Sequence, residues 1–444
     1  MIGWHRRFAL IGAIAVLIWG CSGLLHPLMS WTNPRAVSFM PPAVERFEIK
    51  RDVLALLKQQ DIAQVEELRV IGNQLQVKLP GQAERVYINL DNGHIIKDAD
   101  RDHAVMVARH YTGLKDTTIL STELITQFSN RYTYINRFLP VWKVSFDDPR
   151  HISVYVDTET DRLGSITDTR KVILQTLFQT LHTGQWLEGV EPLRLALIAL
   201  LVGSALSVAI AGIYMLVCMR GSRKGPRKIH RVLAYAALFP LLMFPVSGIF
   251  HLFVQSPLLY GDHDAAPVVV DVSSLHYFPK TKGDDLRMTA TGEKVWWRVQ
   301  AKDDVSYMDA RGKAMLTGDE AFVREMVNVP VNSVTKVTNF SDEYGFAYKR
   351  LPVWRVDMGH ELLFVEAKTG VIAAHVEPLK VVETWSFSRL HKWQFLDGLS
   401  EKVSNILWGP GPFKTAFRDA VMVAFMLMGI GMAVLGLMIR QKRV

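Results

Sequence analysis

Six of the fourteen histidines in this chain stand at matched positions. Histidine is the side chain best suited to ligate a metal or pass a proton near neutral pH. The matches are His5 with His230, His26 with His251, and His182 with His391. His5 to His26 reads HRRFALIGAIAVLIWGCSGLLH, and His230 to His251 reads HRVLAYAALFPLLMFPVSGIFH. Both begin His-Arg and close on Ser-Gly, two apolar residues and His. The 21-residue separation spans about 30 Å as a helix, the hydrocarbon thickness of a bilayer. Each stretch is predicted to cross a membrane with an imidazole near each face, His5 and His230 inside, His26, His251, His182 and His391 outside.

A single histidine at a helix end can snorkel, cap carbonyls or bind headgroups. Ionisable groups in membrane segments are costly and usually functional, so a duplicated set at two depths carries more weight. It suits axial ligation of b-type haems by imidazoles from facing helices, and the two levels supply an electron path across the bilayer. Zinc or copper would want more carboxylate or cysteine among the histidines. No CxxCH occurs, which excludes covalent c-type haem. GxGxxG, Walker and HExxH patterns are absent. The expected cofactor is therefore haem b, two per chain, and the candidate ligands are His5, His230, His182, His391, His26 and His251.

Four runs are predicted to position these residues: Phe8–Leu25, Leu193–Met219, Val232–Val254 and Phe417–Ile439. Two mixed polar segments, residues 26–192 and 255–416, separate the first run from the second and the third from the fourth, each long enough for a small domain. The net charge of +8 is clustered. Arg6 and Arg7 precede the first run. Arg220, Arg223, Lys224, Arg227 and Lys228 fill the loop between the second and third. Arg440, Lys442 and Arg443 follow the fourth. The positive-inside rule makes all three sites cytoplasmic and both large segments external. The basic balance thus reflects topology, with no nucleic acid implied. Cys21 and Cys218 lie near opposite faces and are not expected to pair. A signal peptide is a rival reading of residues 1–25, but Trp19 fits a cleavage site poorly and the equivalent run lies mid-chain.

The repeat extends beyond the histidines. Thr126-Gln-Phe-Ser-Asn with Leu139-Pro-Val-Trp142 reappears as Thr338-Asn-Phe-Ser-Asp with Leu351-Pro-Val-Trp354. Phe178-Gln-Thr-Leu-His182 reappears as Phe387-Ser-Arg-Leu-His391. The chain reads as two parallel halves, about 1–220 and 226–444, related by a pseudo-two-fold axis along the membrane normal. The expected fold class is a membrane α-helical four-helix bundle, a tandem 2+2 parallel repeat, with two external α+β domains.

The expected order is spanning helix 1–30, external domain 31–170, interfacial His-bearing segment 171–192, spanning helix 193–219, basic loop 220–229, spanning helix 230–255, external domain 256–382, second interfacial segment 383–414 and spanning helix 415–440. Pro240 and Pro245 are expected to kink the third span. Glu401–Phe413, with its Gly-Pro-Gly-Pro, breaks the symmetry. Helices are expected at Val44–Gln60, Asp102–Tyr111 and Glu320–Val327. Strands are expected at Leu75–Leu79, Val86–Leu90, Ile152–Val156, Val295–Val299, Val305–Met308, Val353–Met358 and Leu362–Glu366. The Leu-Pro-x-Trp tryptophans are expected in strand entries and in the core.

The His-Arg span starts at His5 and His230, Ser-Gly at 22–23 and 247–248, Leu-His at 182 and 391, and external segments with Leu-Pro-x-Trp together resemble the PepSY-associated transmembrane helix family, over nearly the whole chain. The resemblance implies two periplasmic PepSY domains on a bacterial inner-membrane haem protein with both termini cytoplasmic. It also implies reduction of a periplasmic ferric siderophore or other ferric chelate, releasing Fe(II). The loops on the inner side are too short for a flavin or nicotinamide domain, so electrons would come from quinol or a soluble cytoplasmic donor. Substrate would meet the outer haem edge.

Two other classes stay open: a non-enzymatic, membrane-anchored PepSY regulatory or binding protein, and a siderophore or iron transporter component. At the outer face either one haem lies on the axis, held by one symmetric pair, or two lie off it. The single haem held by His182 and His391 is slightly preferred, because the family resemblance includes that Leu-His pair. Two histidines would then be free to orient an anionic chelate or pass protons.

Overall fold

Long apolar stretches satisfy their own backbone as helices where water is excluded, and here the longest are helical. The computed structural model describes residues 2–38, 40–43, 45–219, 224–254, 268–291, 294–341, 343–409 and 414–441. The chain divides into two units. A helical unit takes Met1–Asn33, Arg170–Asp262 and Leu379–Val444, and a sheet unit takes Pro34–Thr169 and His263–Pro378.

The helical unit holds α1 (Ile2–Thr32), α2 (Thr169–Phe178), α3 (Glu191–Cys218), α4 (Pro226–Ala236), α5 (Leu238–Val254), α6 (Pro378–Ser386), α7 (Asp397–Trp408) and α8 (Ala416–Gln441). Three spans among the described residues are long and apolar enough to cross a membrane: α1, α3 with the turn before it, and α8. The α4–α5 pair makes a fourth if read as one broken span. That break corrects the expectation of one helix over 230–255 kinked at its prolines. The two helices are bent by 60°, and the break falls at Ala237. Pro240 has no N–H to donate, and its ring would clash with the Ala236 carbonyl four residues earlier. The chain therefore ends α4 there, with Ala237 N donating to Leu233 O at 2.8 Å. Pro240 then sits in the first turn of α5, where proline is tolerated.

Helix α1 packs on α3 and α8, α3 on α5, and α8 on α4. Small residues set the closest approaches, as is usual between membrane helices. A Cβ on Gly12 would stand 3.0 Å from Val208 Cγ2 on α3, and one on Gly20 would stand 2.9 Å from Ile430 Cγ1 on α8. Helix α7 occupies the asymmetric insertion; residues 410–413 of the Gly-Pro-Gly-Pro stretch lie outside the described residues.

The sheet unit repeats one topology twice. The first copy is β1 (Glu67–Ile71), β2 (Gln74–Lys78), β3 (Val86–Asn89), β4 (Ile95–Ile96), the helix Ala99–Thr112, then β5 (Ile119–Ile125), β6 (Val141–Phe146), β7 (Ser153–Asp157) and β8 (Arg162–Thr167). The second is β9 (Asp285–Thr291), β10 (Lys294–Ala301), β11 (Asp304–Asp309), β12 (Ala314–Thr317), the helix Asp319–Val327, then β13 (Ser333–Val337), β14 (Val353–Asp357), β15 (Leu362–Glu366) and β16 (Val371–Val376). Each copy keeps its own four-stranded sheet, of order β8-β7-β6-β5 and β13-β14-β15-β16.

The other eight strands form one sheet in the order β12-β11-β10-β9-β1-β2-β3-β4. The two segments expected to form separate domains thus share one sheet; β1 and β9 pair antiparallel, with Arg69 opposite Arg287. Each strand covers the edge that the other would otherwise expose.

The expected helix over Val44–Gln60 shrinks to Val53–Gln59. Asp52 accepts from Ala55 N and starts the helix there. Upstream, Phe47–Glu48 is a short strand, with Phe47 and Ile49 in the core. Val44 lies outside the described residues. Trp142 is in the core as expected, its Nε1 donating to Asp100 Oδ2 at 2.7 Å, whereas Trp354 is only half-buried.

Candidate functional site

The helical unit brings four of the six sequence-predicted histidines together as two pairs. His182 and His391 each sit in a π-helical turn, Gln179–Thr183 after α2 and Phe387–His391 after α6. Such turns widen a helix by one residue and recur at functional sites. The imidazole centroids are 6.4 Å apart and the ring planes nearly perpendicular, at 86°.

Each ring is held from behind. Phe178 stacks on His182 at 4.5 Å and Phe387 on His391 at 4.6 Å. His182 Nδ1 lies 3.0 Å from Ser22 Oγ, and His391 Nδ1 lies 3.2 Å from Ser247 Oγ. Ser247 Oγ donates its one proton to the Met243 carbonyl at 2.7 Å. It can then only accept from His391, whose Nδ1 must carry the proton. In the neutral ring this leaves Nε2 of His391 with its lone pair. Ser22 has the Trp19 carbonyl at 3.4 Å, farther than His182 Nδ1, so it holds the His182 ring without fixing its tautomer. Gly248 lies next to the His391 ring, where a Cβ would come within 3.8 Å of Cε1.

His5 and His230 make the second pair. His5 Nδ1 lies 3.2 Å from the Val208 carbonyl on α3, and His230 Nδ1 lies 3.1 Å from the Met432 carbonyl on α8. A carbonyl can only accept, so both Nδ1 atoms are donors and both Nε2 atoms are free acceptors. Ring fixation through the other nitrogen is the usual setting of a metal-bound imidazole. Both histidines line one cavity of about 720 Å³, within the size range of cofactor sites. Its walls are apolar, with small residues such as Gly12, Ala209, Gly212 and Gly436. Arg6, Arg227, Arg231 and Arg440 border it. Of the other residues in the basic clusters, 220, 223, 442 and 443 lie outside the described residues. On α1, His5 and Ser22, which holds His182, are 17 residues apart, about 25 Å of helix.

His26 and His251 are not brought face to face. His26 lies against the outer side of Phe178, with centroids 6.2 Å apart, and His251 stacks on Phe387 at 3.9 Å. The six rings run His26, Phe178, His182, His391, Phe387, His251. The two ends differ. His251 Nδ1 donates to Glu383 Oε1 at 2.5 Å, and Glu383 is buried; His26 is exposed and has no hydrogen-bond partner among the described residues.

Ser22, Ser247, Phe178 and Phe387 were visible in the sequence as parts of repeated motifs, without a role. The Val208 and Met432 carbonyls and Glu383 gave no signal.

The donor set at each level suits haem: His5 and His230, on an apolar cavity, and His182 with His391 at the other level are the imidazoles that would hold it. Among the described residues no group of three or more His, Cys, Asp or Glu could hold a bare metal ion.

The helical spans fit a membrane protein, one that also carries separate β-sheet structure. Comparison of the chain with protein-family models, with curated proteins and with solved structures finds no match.

Proposed function

We propose that the chain is an inner-membrane b-type haem oxidoreductase that carries electrons outward to reduce a ferric chelate. The observation that carries this reading is the pairing of four matched histidines, each held through Nδ1. His182 and His391 would hold one haem and His5 and His230 the other. When bound, haem supplies a one-electron Fe(III)/Fe(II) couple at each pair. The Arg6, Arg227, Arg231 and Arg440 guanidiniums are suited to the carboxylates of a tetrapyrrole, since planar forks match carboxylates.

In this reading the four spans form a four-helix bundle, with the α4–α5 pair as one broken span. The basic clusters face the cytoplasm and the sheet unit is periplasmic. The chain resembles PepSY-associated membrane proteins in its histidine and Leu-Pro-x-Trp motifs. Each ferric ion gains one electron and leaves its chelate as Fe(II); a quinol or soluble cytoplasmic donor supplies it, a quinol serving two ferric ions and releasing two protons. Ferric chelates are far tighter than ferrous ones, so reduction is a chemically effective release step.

The test is a reduced-minus-oxidised spectrum of protein purified from haem-replete cells, with haem-to-protein stoichiometry. Sharp b-type bands at two haems per chain are expected. A featureless spectrum rejects the reading, and three haems per chain would place two at the ring ladder instead of one.

A further inference from the structure

The ring ladder is symmetric in its rings and asymmetric in its flanks. At one end Glu383 engages His251. The corresponding position in the first repeat is Leu174, so His26 has no such carboxylate. At the turn itself the second repeat has Lys392 directly after His391, where the first has Thr183 after His182. Lys392 is exposed, and its Nζ lies 4.9 Å from the centroid of the Phe387 ring that backs His391.

The charges around it are accounted for. The Lys392 ammonium lies within electrostatic reach of His26, and Glu383 and Arg418 act on Lys392. Glu383 is engaged by His251. Asp419 also faces His26, but its carboxylate is held by Trp31 Nε1 at 3.2 Å, Thr415 Oγ1 at 2.9 Å and Arg418 at 3.0 Å. Arg418 in turn is shared between Asp419 and Asp397. Lys392 has no ion pair among the described residues. A cation and an imidazole are thus left open on the flanks of the His182–His391 pair.

We propose that Lys392 and His26 form the docking point for the substrate, and that this substrate is an anionic, carboxylate-bearing ferric chelate. This rests on the reading of His182 and His391 as the outer redox pair. Lys392 supplies an ammonium and His26 a hydrogen-bond donor to a carboxylate arm. The chelate would then lie beside the rings that hold the outer electron carrier. His251 cannot serve in the same way, because Glu383 would repel the anion.

The experiment uses full-length protein in nanodiscs of zwitterionic lipid and a non-reducible probe, gallium(III) citrate. A gallium(III) tris-hydroxamate without carboxylates serves as the control. Wild type is expected to bind gallium citrate, weakening as salt rises, and to bind the control at least 10-fold more weakly. Lys392→Thr, which installs the residue of the first repeat, and His26→Gln should each weaken citrate binding about 10-fold with the haem spectrum unchanged. Equal citrate binding by wild type and both variants with intact spectra overturns the proposal. So does retention of phosphatidylglycerol by Lys392 and His26 with no gallium citrate bound, which would make them a headgroup site. A wild type without haem rejects the redox reading, whereas the citrate measurement judges the docking point separately.

Discussion

Glu383 holds His251 by its Nδ1 at 2.5 Å, while Phe387 stands between His251 and His391. The carboxylate therefore anchors a histidine that lies outside the central pair. Glu383→Leu, which copies Leu174 of the first repeat, should leave both haem components in the spectrum. It should lower thermal stability by about 1.5–3 kcal/mol, the usual worth of a hydrogen bond to a charged group. Loss of a haem component in this variant would make His251 an axial ligand.

Ser22 and Ser247 stand behind the central histidines and hold them at Nδ1. Ser22→Ala and Ser247→Ala should each weaken haem retention at that pair by about 10–100-fold, as loss of a partner behind a ligand usually does. Haem-loss kinetics to an apoprotein acceptor measure this. Unchanged loss rates in both variants would mean that the hydroxyls do not orient the rings.

His5 and His230 share one cavity, so His5→Ala and His230→Ala should remove the same spectral component. The His182/His391 component should survive in both. Loss in one variant with an intact spectrum in the other breaks the pairing.

In the sheet unit, Arg69 and Asp161 form a buried ion pair, and Glu366 is held by Arg162 and Arg350. Burial alone would raise these carboxylates, but the adjacent guanidiniums hold both well below the usual range. A folded-state value below the unfolded one gives stability that is fully present above about pH 4, the unfolded value. That stability is lost as pH falls toward the folded value. Thermal melts should therefore show the sheet unit weakening below about pH 4. Arg69→Met should destabilise by about 3–5 kcal/mol by leaving the buried Asp161 with only His103, at 2.6 Å, as a partner, and Arg69→Met with Asp161→Leu should recover most of it. If the double variant is no more stable than the single, the pair is not the cause.

The basic clusters predict that both chain ends face the cytoplasm. An alkaline phosphatase fused after Val444 should be inactive, and one placed in the 140–170 segment active. The opposite pattern overturns the topology.

The sequence made the matched histidines legible because duplication wrote each twice, His5/His230 and His26/His251 at equal distances from a Ser-Gly and His182/His391 within a repeated Phe-x-x-Leu-His. Spans were legible from apolar length. Pro240 and Pro245 signalled a bend in the third span; the bend falls at Ala237, upstream of both, because a proline acts on the carbonyl four residues before it. The single eight-stranded sheet was not legible, since Arg69 and Arg287 are joined across more than two hundred residues and no local pattern marks an edge strand's partner. Glu383 was missed because it has no counterpart in the first repeat, and the repeat was the guide.

The seam of that sheet has an implication for descent. Arg69 and Arg287 occupy the same place in their respective repeats and face one another, as the contacts of a two-fold homodimer do. A half-length ancestor would have carried one copy of this edge and found its complement only in a second molecule of itself. Fusion of two such genes would turn a subunit contact into an internal one. Each copy would then be free to diverge without having to match itself, a route by which a glutamate and a lysine could enter one half alone.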